Sequence, residues 1–152
     1  MKSAVISIGG SIVVPDKVDA EFLKKLRKTI LEFTSTGSKA ILTIGGGKTC
    51  RRYQKAAKKV RDLSNEELDW IGIESTKLNA YLVKTIFGKY AHGRVINNPN
   101  NEIETDKKII IASGYKPGCS TDYDGVLLAK NIGSKTIINM TNTDYVYDKD
   151  PN

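Results

Sequence analysis

Three short apolar runs in this chain stop at clusters of small residues, and each is followed by a segment of helical pattern. Residues 3 to 8 run into Gly9-Gly10-Ser11, Ala40 to Ile44 into Gly45-Gly46-Gly47, and Ile109 to Ala112 into the loop from Gly114 to Ser120. A β-branched run of this length followed by glycine is a buried strand entering a tight turn. After the first turn Asp19 is the expected N-cap of a helix whose apolar residues Phe22, Leu23, Leu26, Ile30 and Phe33 recur at helical spacing until Gly37. A basic helix is expected after Gly47, another helix from Thr121 to about Asn131, and a fourth strand from Thr136 to Met140. Leu68, Ile71, Ser75, Leu78, Leu82 and Ile86 predict a long amphipathic helix from about Glu66 to Phe87, capped by Ser64 or Asn65 and ended by Gly88. The segment from Ala91 to Lys108, centred on Asn97-Asn98-Pro99-Asn100-Asn101, is expected as an exposed loop. Strand, glycine loop and helix in repeated order predict an α/β fold, a three-layer αβα sandwich on a mainly parallel sheet with right-handed crossovers. Ligands of such sheets bind at the carboxyl ends of the strands, where these loops gather.

The remaining composition narrows the chemistry. With 39% apolar residues, 152 residues suffice for one globular domain without a disulfide or a structural metal. Cys50 and Cys119 fit neither a disulfide framework nor a zinc spacing, so they are expected as free thiols, and the protein as cytoplasmic. No apolar run approaches the roughly 20 residues of a membrane span. The formal charge of +7 favours anionic partners. Lys48 and Arg51 follow the glycine triplet directly, where a helix N-terminus and a basic side chain together hold a phosphate. Lys55, Lys58, Lys59 and Arg61 read as a solvated face, since the segment has Tyr53 as its single aromatic and no nucleic-acid-binding motif accompanies it. His92 is expected to be a surface residue.

Each glycine cluster alone serves a turn as well as a ligand. Neither a GxxxxGK[ST] nor a GxGxxG pattern is present. The ordered set is more specific. Ile8-Gly9-Gly10-Ser11, Ile44-Gly45-Gly46-Gly47-Lys48 with Arg51, Asp69-Trp70-Ile71-Gly72-Ile73, Pro117-Gly118-Cys119-Ser120-Thr121-Asp122, and the stretch from Thr141 to Pro151 span the chain. Together they resemble the amino-acid kinase superfamily, and most closely the archaeal-type UMP kinases. The resemblance implies an enzyme that moves the γ-phosphoryl of ATP, carried with Mg²⁺, to UMP. It implies a UMP site of Gly46, Asp69 and Tyr115, Lys116, Pro117, Gly118, Cys119, Ser120 and Thr121, with Asp69 toward the ribose hydroxyls. Gly10, Ser11, Gly47 and Arg51 would line the ATP phosphates, and Thr141, Tyr147 and Asp150 would open the nucleoside part of that site. By the same likeness residues 1–135 are mainly the acceptor part, and 136–152 begin the ATP-binding part.

Transfer to a phosphate requires no general base, because the acceptor oxygen is already ionised at neutral pH; positioning and charge neutralisation remain. A chain with a single His is compatible with that chemistry. Arg51 is the expected principal catalytic side chain, with Ser11 beside it, while Asp122 and Asp144 are candidates for orienting cations or equally for capping turns. Three departures from the family pattern stand out. Ser7 stands where many superfamily members carry Lys, and Tyr145 where a Gly is usual. The roughly last third of a family member has no counterpart up to Asn152. The resemblance therefore implies a truncated or split kinase, acting as a homo-oligomer or with a complementary C-terminal chain, the helix from Glu66 to Phe87 being a candidate interface. The alternative is a non-catalytic nucleotide- or oxyanion-binding module of the same fold.

Overall fold

The computed structural model describes residues 2–142. In chain order the elements are β1 (Ser3–Ile8), α1 (Gly10–Val13), α2 (Ala20–Ser35), β2 (Lys39–Ile44), α3 (Gly47–Lys58), α4 (Asn65–Phe87), β3 (Ile109–Ala112), α5 (Thr121–Ile132) and β4 (Ile137–Met140). The strands form one parallel sheet in the order β3-β2-β1-β4. Alternate residues of each strand face opposite layers. Ala4, Ile6, Ile8, Ala40, Leu42, Ile44, Ile109 and Ile111 pack with Leu23, Leu26 and Ile30 of α2 and Ala80, Val83 and Phe87 of α4. Val5, Ile41, Ile110 and Ala112 pack on the other face with Leu128 and Ala129 of α5. Burial on both faces is why the inner strands read as near-continuous apolar runs rather than alternating, with Ser7 and Thr43 as buried polar residues near their carboxyl ends.

The expected caps form. Asp19 accepts the Phe22 N–H at 2.9 Å. Of the two candidates ahead of α4, Ser64 is the cap: its hydroxyl accepts the Glu67 N–H, and the Glu67 carboxylate accepts the Ser64 N–H.

In three places the structure corrects the sequence reading. The turn at Gly9-Gly10-Ser11 is wound into the single helical turn α1. The buried face of α4 is rotated from the predicted stripe. Ile73, Ser75, Thr76, Asn79, Ala80, Val83 and Phe87 are buried, whereas Leu78 is 62% exposed. Apolar periodicity missed this face because part of it is polar and serves loops at the sheet edge. The segment from Ala91 to Lys108 is also less exposed than expected. The His92 N–H donates to Ile109 O and the Ile96 N–H to Ile111 O, so the chain runs beside β3 and occupies its free edge. Ala91 and Pro99 are buried, and His92 is half-buried.

Among the described residues β4 is the other edge, with Ile137 and Ile138 nearly half exposed. Cys50 and Cys119 are free, and no described helix is long and apolar enough to cross a membrane.

Candidate functional site

The strand order places the glycine loops side by side. Chain direction runs outward from β1 to β2 to β3 and returns to the far side of β1 for β4, so the sheet reverses order at β1. That reversal opens a crevice at the carboxyl ends. The loops after β1 and β2 meet backbone to backbone. A Cβ on Gly10 would lie 2.2 Å from the Gly47 nitrogen, and one on Gly47, whose φ is +60°, would lie 2.3 Å from the Gly10 carbonyl carbon. No other residue type fits either position without separating the loops.

On the β2–β3 side of this contact lies a cavity of about 310 Å³. It is walled by the loop after β2 (Gly46, Gly47), by α3 (Cys50, Arg51, Gln54), by α4 (Asp69, Gly72, Ile73, Thr76) and by the loop after β3 with the start of α5 (Gly114, Lys116, Cys119, Ser120, Thr121). Two other concavities, of about 420 and 590 Å³, lie toward the amino ends of the strands, by Lys107-Lys108 and Lys2-Ser3, away from the loops. A third, of about 450 Å³, is confined to residues 92–104.

Three side chains hold the loop after β3 by its backbone donors. Thr76 Oγ1 accepts the Gly114 N–H at 2.8 Å, Asp124 Oδ2 accepts the Tyr115 N–H at 3.1 Å, and Asp69 Oδ2 accepts the Gly118 N–H at 2.8 Å. The Asn79 amide donates to the Gly45 and Gly46 carbonyls at 2.9 and 3.2 Å, fixing the β2 loop from the same helix. Helix α4 thus positions both walls of the cavity. On the far side of the Gly10–Gly47 contact, the Arg51 guanidinium donates to Ser11 Oγ at 3.1 Å. Arg51 lines the cavity and also reaches the β1 loop. Ser7 Oγ donates to Asp122 Oδ1 at 2.5 Å, tying the end of β1 to the first turn of α5.

The helix starts differ in chemistry. Asp19, Ser64 and Ser120 cap α2, α4 and α5 with side-chain oxygens, and each of these helices has an acid in its first turn. Helix α3 follows Gly46, an N-cap without a side chain, and has no acid in its first turn, but has Lys48 and Arg51 close by. Its free N–H groups and dipole suit an anion.

Of the residues singled out from sequence, Gly46, Gly47, Arg51, Asp69, Lys116, Cys119, Ser120 and Thr121 line this one cavity. Tyr115, Pro117 and Gly118 belong to its loop without lining it, and the Lys116 ammonium lies 5.4 Å from the Tyr115 ring centroid. Gly10 and Ser11 stand across the glycine contact, Asp122 opens α5, and Thr141 follows β4. Asp144, Tyr145, Tyr147 and Asp150 lie outside the described residues. Cys50, Gln54, Gly72, Ile73, Thr76, Asn79 and Asp124 enter the site without having been assigned to it from sequence. A signal was present for the α4 set: Asp69, Gly72, Ile73, Thr76 and Asn79 follow helical spacing, with small and polar residues where a core stripe would be large.

Asp124 is 1% exposed, and its Oδ1 has no hydrogen-bond partner among the described residues. Burial pushes its carboxyl pKa up, partly opposed by the Tyr115 N–H. The native state therefore holds this proton more tightly than the unfolded chain. Asp124 then lowers stability as pH rises from the ordinary Asp range through its folded value. Asp124→Asn keeps an acceptor for Tyr115 and removes the charge. The melting temperature of this variant, relative to wild type, is expected to rise by at least about 2 °C between pH 4 and pH 7. A difference that is flat or falls across that interval in thermal melts contradicts this reading.

Comparison with known proteins agrees with the geometry. The chain is 35% identical over 154 residues to the uridylate kinase of Methanocorpusculum labreanum, covering 99% of this chain and 64% of that protein. It is 38% identical over 150 residues to the uridylate kinase of Thermococcus gammatolerans, covering 97% of this chain and 65% of the relative. It thus spans just under two thirds of the length of these relatives. The crystal structure of uridylate kinase from Archaeoglobus fulgidus superposes with a TM-score of 0.82 at 32% identity, over 99% of this chain and 68% of that one. The model of the amino acid kinase family matches residues 2–152, and the chain belongs to that family.

Proposed function

We propose that this chain carries the acceptor half of an ATP-dependent UMP kinase, in which the cavity between α3, α4 and the loop after β3 holds the nucleoside monophosphate. The observation that carries the reading is the convergence of Gly46, Asp69 and the 114–121 loop on one cavity beside the uncapped start of α3. The acceptor phosphate would sit at the α3 N-terminus, where backbone N–H groups, Arg51 and the helix dipole favour negative charge. Asp69 holds the Gly118 N–H through Oδ2, which leaves Oδ1 as an acceptor for a ribose hydroxyl.

The ATP phosphates would occupy the β1 side, at Gly10, Ser11 and Gly47, with Thr141 further along the same edge. This places the two phosphates on either side of the Gly10–Gly47 contact, with Arg51 between them. The acceptor oxygen arrives ionised, so the chain's task is alignment and neutralisation of charge on the transferring group. Mg²⁺ would enter with the nucleotide. No group of three or more metal-binding side chains occurs among the described residues. A metal held chiefly by the phosphates, with at most one carboxylate such as Asp122, fits this donor set. By the same reading residues 1–135 are chiefly the acceptor part, and 136–152 begin the ATP part of one cytoplasmic enzyme. A second copy would pack on α4, where Trp70, Leu78 and Tyr81 are exposed.

Asp69→Ala tests the acceptor assignment. It removes both the ribose acceptor and the tie to Gly118, and UMP affinity by calorimetry is expected to fall about 10- to 100-fold, the cost of a charged hydrogen bond. An unchanged Kd would contradict the placement of the ribose.

A further inference from the structure

Both cysteines of the chain line the cavity assigned to the acceptor nucleotide, on opposite walls. Cys50 lies in the first turns of α3, and its sulfur packs against α4, 3.5 Å from where a Cβ on Gly72 would be. Cys119 lies on the loop after β3, its N–H donating to Lys116 O at 3.2 Å, one residue before the Ser120 cap of α5. Arg51 and Lys116 face the same space. Two thiols share the cavity with two cations and one carboxylate, Asp69, a net positive lining that suits anionic electrophiles as well as a phosphate.

We propose that this cavity is a thiol-modification site, in which Cys119 undergoes exchange with a small anionic organic disulfide and the group it acquires excludes the acceptor nucleotide. The inference rests on the acceptor reading of the cavity only for its consequence, not for the chemistry. Cys119 loses its proton and its sulfur attacks one sulfur of the disulfide. A new S–S bond forms to Cys119, the old S–S bond breaks, and the departing thiolate carries away the electron pair. The disulfide itself is the oxidant. The Cys50 sulfur is held against α4, which hinders its attack on a disulfide. Burial pushes its thiol pKa up, the Arg51 charge opposes that in part, and the Asp69 carboxylate adds a smaller rise. Anionic reagents are drawn to Cys119 by Lys116 and Arg51, whereas an uncharged disulfide gains nothing from them.

The test uses the whole chain and two probes, the dianionic 5,5′-dithiobis(2-nitrobenzoate) and the uncharged 2,2′-dithiodipyridine, followed by absorbance and intact mass. Cys50→Ser is expected to keep the fast phase of the anionic probe and Cys119→Ser to lose it. Lys116→Ala is expected to slow the anionic probe at least threefold relative to the uncharged one. The singly modified chain should give no heat with UMP, and a thiol reductant should restore binding. A fast phase that survives in Cys119→Ser, or a Lys116→Ala variant that slows both probes alike, overturns the site. If the modified chain binds UMP as the free chain does, the exclusion is wrong. Should the unmodified chain itself fail to bind UMP, the acceptor reading falls, and the thiol site is judged by the Cys119 and Lys116 rates alone.

Discussion

Replacing Arg51 by alanine is expected, on the proposed acceptor-half reading, to lower UDP formation by the completed kinase about 10²- to 10³-fold, the usual effect of removing one group that stabilises transition-state charge. The side chain is solvent-exposed and makes its described hydrogen bond to Ser11, so the fold has little to lose by truncation. Thermal melts of Arg51→Ala should therefore overlay wild type within about 2 °C while kcat falls. Arg51→Lys separates charge from shape. It retains the positive charge but loses the planar fork that reaches one phosphate while holding Ser11, and should recover only part of the rate. A kcat within threefold of wild type in Arg51→Ala would place the neutralising charge elsewhere.

The second large effect concerns folding. Gly47→Ala places a methyl group 2.3 Å from the Gly10 carbonyl carbon in a backbone with φ of +60°, so steric overlap adds to left-handed strain. The expected destabilisation is about 2–4 kcal/mol, or roughly 5–15 °C in melting temperature for a chain of this size. Gly37→Ala is the control, because its φ of +88° carries the conformational strain while nothing lies within 4 Å of the added methyl. It should cost only about 1 kcal/mol. Equal losses in the two variants, measured by urea denaturation, would mean that the close approach of the two loops contributes nothing.

Much of this arrangement was legible in the sequence because it depends on local rules. Strands β1, β2 and β3 show themselves as β-branched runs closed by small residues, and the caps at Asp19 and Ser64 precede apolar repeats at helical spacing. The grouping of Gly46, Asp69 and the 115–121 loop follows only from likeness to a family, since no local rule brings residues so far apart in sequence together. What stayed hidden is tertiary in origin. Thr76, Asn79 and Asp124 act by holding backbone groups of distant loops, and a buried polar residue on a helix looks in sequence like a break in its apolar stripe. The rotation of α4 follows from the same cause. Leu78 continues the apolar repeat and yet is exposed, because the face that packs inward carries Thr76 and Asn79. The 91–108 segment misled for a different reason. Its polar composition describes its solvent side, whereas its contact with β3 runs through backbone hydrogen bonds that leave no mark on residue type.

Calorimetric titration of the chain with UMP, alongside CMP and AMP, tests the central claim most directly, because the proposed acceptor cavity lies wholly within the described residues. The account predicts one site per chain, selective for UMP and weakened by Asp69→Ala. Folded protein that gives no heat with UMP, or binds the three nucleotides alike, would contradict it.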